Sequence, residues 1–117
     1  MKYVSQITAI GALAQNFLDS NHSIILVNDR LAKDLVADIA IQHTTARLAK
    51  NIAAGDTLRW GGAAFRVVAI GSEANRTLRA EGHCTLVFNA AIDLPGQIGV
   101  EGAAKPQLQL GTDIRIE

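Results

Sequence analysis

Three histidines are the side chains of this chain best suited to covalent chemistry near neutral pH. A neutral imidazole keeps one nucleophilic nitrogen, while its other nitrogen can donate a hydrogen bond that fixes the tautomer. The three are His22, His43 and His83. His22 lies between Asn21 and Ser23 in a polar, turn-like stretch, which is typical of a solvated loop histidine, so we set it aside.

His43 has the more informative surroundings. It follows an alternation of apolar residues, Ile39 and Ile41, and precedes Thr44 and Thr45, whose hydroxyls can donate to phosphate oxygens. The pattern fits a phosphoryl-accepting histidine, and it equally fits a strand histidine that bonds a neighbouring backbone carbonyl. In the first interpretation we expect an exposed ring with one uncharged nitrogen and donors around it.

Two further residues are candidate partners of that ring. His83 follows Gly82 at the entrance to an apolar strand, where it either orients another imidazole or bonds the preceding turn. Ser72 follows Gly71 at the start of a predicted helical turn, where N–H groups could meet an anion. An ordinary capped turn is the alternative interpretation of Ser72.

Metal and thiol chemistry have weaker sequence support. The histidines and Cys84 show neither C-x-x-C nor H-x-x-x-H spacing, so we predict no metal site, and a zinc-dependent small enzyme is a third-ranked hypothesis. Cys84 is the only cysteine, which precludes an internal disulfide and favours a reducing, cytoplasmic compartment. Its apolar neighbours indicate a buried small hydrophobe, and not a reactive thiolate.

Bulk properties exclude several classes of protein. A chain of 117 residues fits one domain over residues 1–117 with its own core. Its 11 basic and 11 acidic side chains balance, so no basic surface for nucleic acid is expected. No apolar run approaches the roughly 18 residues that a membrane-spanning helix needs, so we expect no direct membrane insertion.

Short segments of alternating or β-branched residues between glycine turns predict an all-β fold. We expect a small closed or partly open barrel of short antiparallel strands with one or two short helical turns. The predicted strands are 3–10, 23–27, 38–48, 57–60, 64–70, 84–88, 97–101 and 112–116. The helical turns are predicted at 31–35, after a cap at Asn28 and Asp29, and at 72–78, where Ser72 is the cap and Gly82 the left-handed end. Residues 54–58 and 110–114 look alike, which we interpret as shared turn chemistry and not as a repeat.

Several motifs in this order make the chain similar to one known family. They are Val67-x-Ala69-Ile70-Gly71-Ser72, Gly82-His83-x-Thr85-Leu86 and Leu94-Pro95-Gly96-x-Ile98. With His43 before them, they resemble the glucitol/sorbitol-specific IIA component of the bacterial phosphoenolpyruvate-dependent sugar phosphotransferase system. The resemblance covers most of the chain and is weakest before residue 50.

The resemblance implies a phosphoryl carrier and assigns its residues. The family's phosphate-accepting histidine stands five residues before a leucine, as His43 stands before Leu48. His43 and His83 would then be the catalytic pair, with Thr44, Thr45 and Ser72 stabilising the phosphate. No cofactor is implied, because phosphohistidine is itself the activated group. The implied donor is a histidine-phosphorylated carrier protein, and the acceptor is the sugar-specific IIB/IIC membrane component.

One departure from the family pattern supports an alternative. The family usually has His-x-His-Gly-Glu-Leu at this place, whereas residues 43–48 lack the second histidine, the glycine and the glutamate. The alternative hypothesis is a regulatory or binding module that keeps the barrel but has lost phosphotransfer.

Overall fold

The structure, a computed structural model, describes residues 1–31 and 34–117. The strands of this part are β1 (Tyr3–Ile10), β2 (Ser23–Asn28), β3 (Ala40–His43), β4 (Thr57–Trp60), β5 (Ala63–Ile70), β6 (Cys84–Phe88), β7 (Gln97–Glu101) and β8 (Asp113–Ile116). The helices are α1 (Ala14–Asn21), α2 (Asp34–Ala37) and α3 (Ala74–Glu81). The strands close into a barrel in the order β1-β3-β2-β6-β7-β5-β4-β8, which confirms the predicted all-β barrel.

Four details differ from the sequence prediction. The neighbours β2–β3 and β6–β7 are parallel, whereas antiparallel strands were expected throughout. The predicted strand 38–48 is ordered as a strand only over β3. Helix α1 was not predicted, because Leu13 at its N-cap supplies no side-chain cap and its first turn carries no acidic residue. The predicted helical turn over 31–35 falls partly on residues 32–33, which lie outside the described residues, and α2 begins at Asp34.

The barrel is built twice from the same unit. The unit β1-α1-β2-β3-β4, with the short α2 inserted between β2 and β3, is followed by β5-α3-β6-β7-β8, and the strands of each unit pair in the same way. In the first, β3 is antiparallel to β1 and parallel to β2; in the second, β7 is antiparallel to β5 and parallel to β6. The β1–β8 and β4–β5 ladders are likewise equivalent. The chain is therefore an internal duplication about a pseudo-two-fold axis.

The strand register shows how closely the halves correspond. Where the halves meet at β2–β6, Ile25 faces Thr85, and where they meet at β4–β8, Arg59 faces Arg115. Both β1 and β5 are irregular at the same place, before Ala9 and Ala69. The likeness of residues 54–58 to 110–114 belongs to this duplication, so its interpretation as turn chemistry alone is wrong.

A glycine follows the first strand of each half for the same steric reason. A Cβ at Gly11 would overlap the Ala37 carbonyl oxygen and lie 2.5 Å from the carbonyl carbon of Asp38. A Cβ at Gly71 would overlap the Pro95 carbonyl oxygen and lie 2.6 Å from its carbonyl carbon. The backbone of the following loop therefore packs directly against each glycine.

The core fills the barrel and continues under the two longer helices. Its largest fully buried side chains include Trp60, Tyr3 and Phe65. Helix α3 buries Ala74 and Leu78 against this core, so one face of the helix covers an end of the barrel. No helix within residues 1–31 and 34–117 is long and apolar enough to cross a bilayer.

Candidate functional site

His43 is the last residue of β3, and its ring lies inside the barrel with an exposed fraction of 0%. Strand β3 runs between β1 and β2, where His43 pairs with Ile7 on one side and Asn28 on the other. His43 shares its face of the strand with Ile41, which is also buried, so that face is the barrel interior. The expectation of an exposed ring is therefore wrong for this conformation.

Two backbone carbonyls hold the His43 ring. Its Nδ1 lies 2.8 Å from the Thr44 oxygen, and its Nε2 lies 2.8 Å from the Gly82 oxygen. A neutral imidazole carries one N–H, so it can donate to only one of these carbonyls, and the lone pair of its other nitrogen then faces an acceptor. The Tyr3 ring packs edge-on against the imidazole, with centroids 6.0 Å apart.

Gly82 closes the site from the far half of the chain. It is the C-cap of α3, with φ of 62° in the left-handed region, as the sequence predicted. A Cβ at this position would lie 2.8 Å from Asn28 Cβ and 3.3 Å from His43 Cε1. A glycine thus lets the α3–β6 junction pack directly over the imidazole.

Thr44 and Thr45 adjoin the ring in the chain, but both hydroxyls already have protein partners. The Thr44 hydroxyl accepts from the Gln6 N–H at 3.1 Å, and the Thr45 hydroxyl donates to Asn28 Oδ1 at 3.2 Å. The Thr44 hydroxyl retains its own proton as a donor. The two residues therefore tie β1 and β2 to the end of β3.

The structure separates the two remaining predicted site residues. His83 follows Gly82 directly and is half-buried, so it adjoins the cover of the His43 ring. Ser72 is exposed and precedes the N-terminus of α3, whereas Gly82 follows its C-terminus, so the whole eight-residue helix, about 12 Å long, separates them. The predicted Ser72 cap is wrong, because the N-cap is Glu73 and no side-chain cap bond is found there in the described part of the chain.

Tyr3 and Asn28 lie beside the ring and were not among the predicted site residues. Tyr3, Ser5 and Ile7 alternate on the inner face of β1, and the pairing of β1 with β3 brings that face to His43. Within the described residues, the Tyr3 hydroxyl and Ser5 Oγ are buried without a hydrogen-bond partner. Burial, assisted by the nearby Cys84 thiol, raises the pKa of Tyr3, so its phenol is neutral. The alternation was visible in the sequence, but its partner strand was not.

Metal-ligating side chains do not converge in the part of the chain that is described. No group of three or more His, Cys, Asp or Glu side chains with metal-binding geometry is found among residues 1–31 and 34–117.

Cys84 is fully buried, which confirms its prediction as a core residue, and burial raises the pKa of its thiol to about 12. We expect the folded protein to react with a disulfide reagent at pH 8 at least 100-fold more slowly than the urea-unfolded chain, because reaction needs an exposed thiolate. Absorbance of the released thiolate measures both rates. Fast stoichiometric reaction of the folded protein would contradict this assignment. Free cysteine under the same two conditions is the control for an effect of urea on the reagent.

Comparisons with known proteins identify the family and the fold. The family model described as "PTS system glucitol/sorbitol-specific IIA component" matches residues 2–115. The crystal structure of a PTS system IIA component from Enterococcus faecalis V583 is similar, with a TM-score of 0.84 and 26% sequence identity, covering 96% of this chain and 97% of that chain. No curated protein matches the chain. Because the family model spans nearly every residue and the barrel is shared, this chain belongs to the family of glucitol/sorbitol-specific IIA components of the sugar phosphotransferase system.

Proposed function

We propose that this chain is a phosphoryl carrier whose His43 accepts the group from a histidine-phosphorylated carrier protein. It then passes the group to the glucitol/sorbitol IIB component, in the cytoplasm. Family membership supports a phosphotransferase role. The observation that carries the assignment to His43 is the contact of its Nδ1 with the Thr44 carbonyl at 2.8 Å.

That contact is compatible with the tautomer a carrier needs, and the equal contact of Nε2 with the Gly82 carbonyl is compatible with the other tautomer. When Nδ1–H donates to the Thr44 oxygen, Nε2 has no proton and its lone pair is available as a nucleophile. The Gly82 carbonyl then faces Nε2 with a second lone pair, so this contact is repulsive in the neutral ring. Moving the Gly82 carbonyl away from Nε2 therefore relieves the repulsion in this neutral tautomer. The conformational freedom of a glycine allows the backbone rotation that this movement needs.

The transfer step balances without a further reagent. The Nε2 lone pair attacks phosphorus, and the donor's N–P bond breaks as the new one forms. The donor imidazole takes back the electron pair. The His43 ring becomes cationic, and its Nδ1–H bond to the Thr44 carbonyl stabilises that charge. Transfer to the acceptor repeats the step in reverse. Thr44, Thr45 and His83 adjoin the ring or its cover and can donate to phosphoryl oxygens once the site opens.

The test is phosphorylation of the purified protein with phosphoenolpyruvate, the general phosphotransferase enzyme and the carrier protein. We expect intact-mass spectrometry at alkaline pH to show one added phosphoryl group, and peptide mapping of the wild type to place it on His43. His43→Gln should show no increase in mass under the same conditions. His22→Gln and His83→Gln are matched controls that should retain acceptance, with His83→Gln slower. Mapping of the wild type keeps the test valid if His43→Gln fails to fold.

The burial of His43 favours a second candidate function. A ring with no exposed surface and a carbonyl against each nitrogen suits a structural residue, and then the barrel serves as a regulatory or binding module. In that case the wild type gains no mass under conditions in which a known IIA component is fully phosphorylated. Phosphate mapped to a histidine other than His43 would contradict both candidates.

A further inference from the structure

Asn28 presents a side-chain amide beside the His43 imidazole. It is the last residue of β2 and pairs with His43, the last residue of β3, in a parallel ladder. Paired residues of neighbouring strands lie about 4.8 Å apart and point to the same face of the sheet. Asn28 is 9% exposed, and its Cβ lies 2.8 Å from the position that a Cβ on Gly82 would take. The amide is therefore flanked by the imidazole and by the glycine that covers it.

Two hydrogen bonds fix the orientation of this amide. Asn28 Oδ1 accepts from the Arg30 N–H at 2.9 Å and from the Thr45 hydroxyl at 3.2 Å. A backbone N–H needs an acceptor, and an amide NH₂ group cannot accept, so the oxygen is the end that faces Arg30. Nδ2 is then the other end of the amide, and it carries two N–H donors. Among residues 1–31 and 34–117, we find no acceptor that is bonded by Asn28 Nδ2.

The fold does not require an asparagine at this place. In the other half of the barrel the equivalent residue is Phe88, which pairs with Val100. There the Asn89 N–H donates to the Val100 carbonyl at 2.8 Å. In the first half the Asp29 N–H donates to the His43 carbonyl in the same way, at 2.9 Å. The same strand end therefore forms with or without the amide, and the amide is present in the half that contains the imidazole.

A phosphoryl group on Nε2 of His43 needs hydrogen-bond donors for its oxygens. In the closed conformation the Gly82 carbonyl lies at that nitrogen, 2.8 Å away. Once this carbonyl moves, Asn28 borders the space that it leaves, because Asn28 Cβ is the nearest neighbour of Gly82 on that side. Donors placed around a transferring phosphoryl group stabilise the negative charge of its oxygens. A neutral amide suits this place because it donates at any pH and brings no charge of its own into the barrel.

We propose that Asn28 is a further catalytic residue, which donates from Nδ2 to an oxygen of the phosphoryl group at Nε2 of His43. This inference rests on the proposed function, since it names a residue that would hold the group in that site. Asn28 neither gains nor loses a proton. The Nε2–P bond forms as the donor's N–P bond breaks, and the amide stabilises the charge on the phosphoryl oxygens during the transfer.

The test compares the rates at which the wild type, Asn28→Asp and Asn28→Ala accept a phosphoryl group. Asn28→Asp keeps the oxygen that accepts from Arg30 and Thr45 but has no N–H groups. Asn28→Ala has no charge that could repel the group, so a loss shared by both variants identifies the missing donors. With the phosphorylated carrier protein, we expect both variants to react about 100-fold more slowly than the wild type. Intact-mass spectrometry at alkaline pH measures the rates.

A second donor separates the chemistry from protein docking. Phosphoramidate is a small reagent that phosphorylates histidine without a partner protein, and both Asn28 variants should be slower with it as well. A readout on the wild type alone is the NMR resonance of the Asn28 side-chain NH₂ group. On phosphorylation this resonance should shift by more than that of Asn89, which already donates to the Gly102 carbonyl.

Asn21→Asp is the matched control for the change from amide to carboxylate. Asn21 is exposed and precedes β2, so it lies at the opposite end of that strand from Asn28. This variant should accept the group at the wild-type rate. Thermal unfolding of each variant shows whether its fold is intact.

The outcomes distinguish this inference from the proposed function. Wild-type rates in both Asn28 variants, or an NH₂ resonance that does not respond to phosphorylation, would overturn the inference and leave the proposed function standing. If only phosphoramidate modifies His43, and Asn28 is needed for its rate, the proposed function fails and the assignment of Asn28 holds. If neither donor modifies His43 in the wild type, both are overturned.

Discussion

Gly71→Ala is expected to lower the free energy of unfolding by about 3 kcal/mol. The added methyl group would overlap the Pro95 carbonyl oxygen and lie 2.6 Å from its carbonyl carbon. These are backbone atoms, so no side-chain rotation can relieve the overlap. The Gly71 N–H donates to the Gln97 carbonyl at 2.7 Å, which holds the glycine in place. Urea unfolding followed by circular dichroism measures the loss.

The duplication supplies a replicate for this experiment at Gly11, and Gly96 supplies a control. Gly11→Ala should lower the free energy of unfolding by a similar amount, because its Cβ would overlap the Ala37 and Asp38 backbone in the same way. Gly96→Ala should change stability by no more than about 0.5 kcal/mol, since nothing lies within 4 Å of its Cβ position. Losses below about 1 kcal/mol for both Gly11→Ala and Gly71→Ala would contradict the packing described for these loops.

Gly82→Ala is expected to cost about 3 kcal/mol for two separable reasons. A φ of 62° is unfavourable for any residue with a Cβ, and the new methyl group would lie 2.8 Å from Asn28 Cβ and 3.3 Å from His43 Cε1. The methyl group would therefore displace the α3–β6 junction or the imidazole. The measurements are urea unfolding and the ¹³C–¹H resonance of His43 Cε1, which should shift.

Gly111→Ala separates the two reasons. Gly111 has φ of 81° but nothing within 4 Å of its Cβ position, so it carries only the backbone cost of about 1–2 kcal/mol. The loss in unfolding free energy from Gly82→Ala should exceed the loss from Gly111→Ala by at least about 1 kcal/mol. Equal losses with an unchanged His43 resonance would mean that Gly82 does not pack against the imidazole.

The strands were predictable where glycines bracket them, as at 57–60 and 97–101. Parallel pairing was not, because the apolar pattern of a short strand does not identify its neighbour. For the same reason the sequence placed Ile41 and His43 on one face without showing that this face is the interior. Helix α1 lacks the side-chain cap that would mark its start. The Gly82 contact joins distant parts of the chain, so only the fold reveals it.

One signal of the architecture is present in the sequence and did not enter the sequence prediction. Residues 9–11 and 69–71 both read Ala-Ile-Gly, each followed at equal spacing by an alanine and a leucine that end up in α1 and α3. Each half repeats these residues because an equivalent helix packs against the barrel in each half. Local propensity alone cannot detect such a relation, since it compares no segment with another.

Two copies of one unit need not keep equal chemistry. In the β2–β3 ladder Asn28 stands opposite His43, while at the equivalent rung of β6–β7 Phe88 stands opposite Val100. One copy has an imidazole and an amide at this rung, and the other has two hydrocarbon side chains. The apolar pair of the second half stabilises the barrel interior by hydrophobic packing. This packing offsets the free-energy cost of burying the polar His43 ring in the first half. Under the proposed function, one half of the barrel holds the phosphoryl-accepting ring, and the equivalent position of the other half contributes only apolar packing.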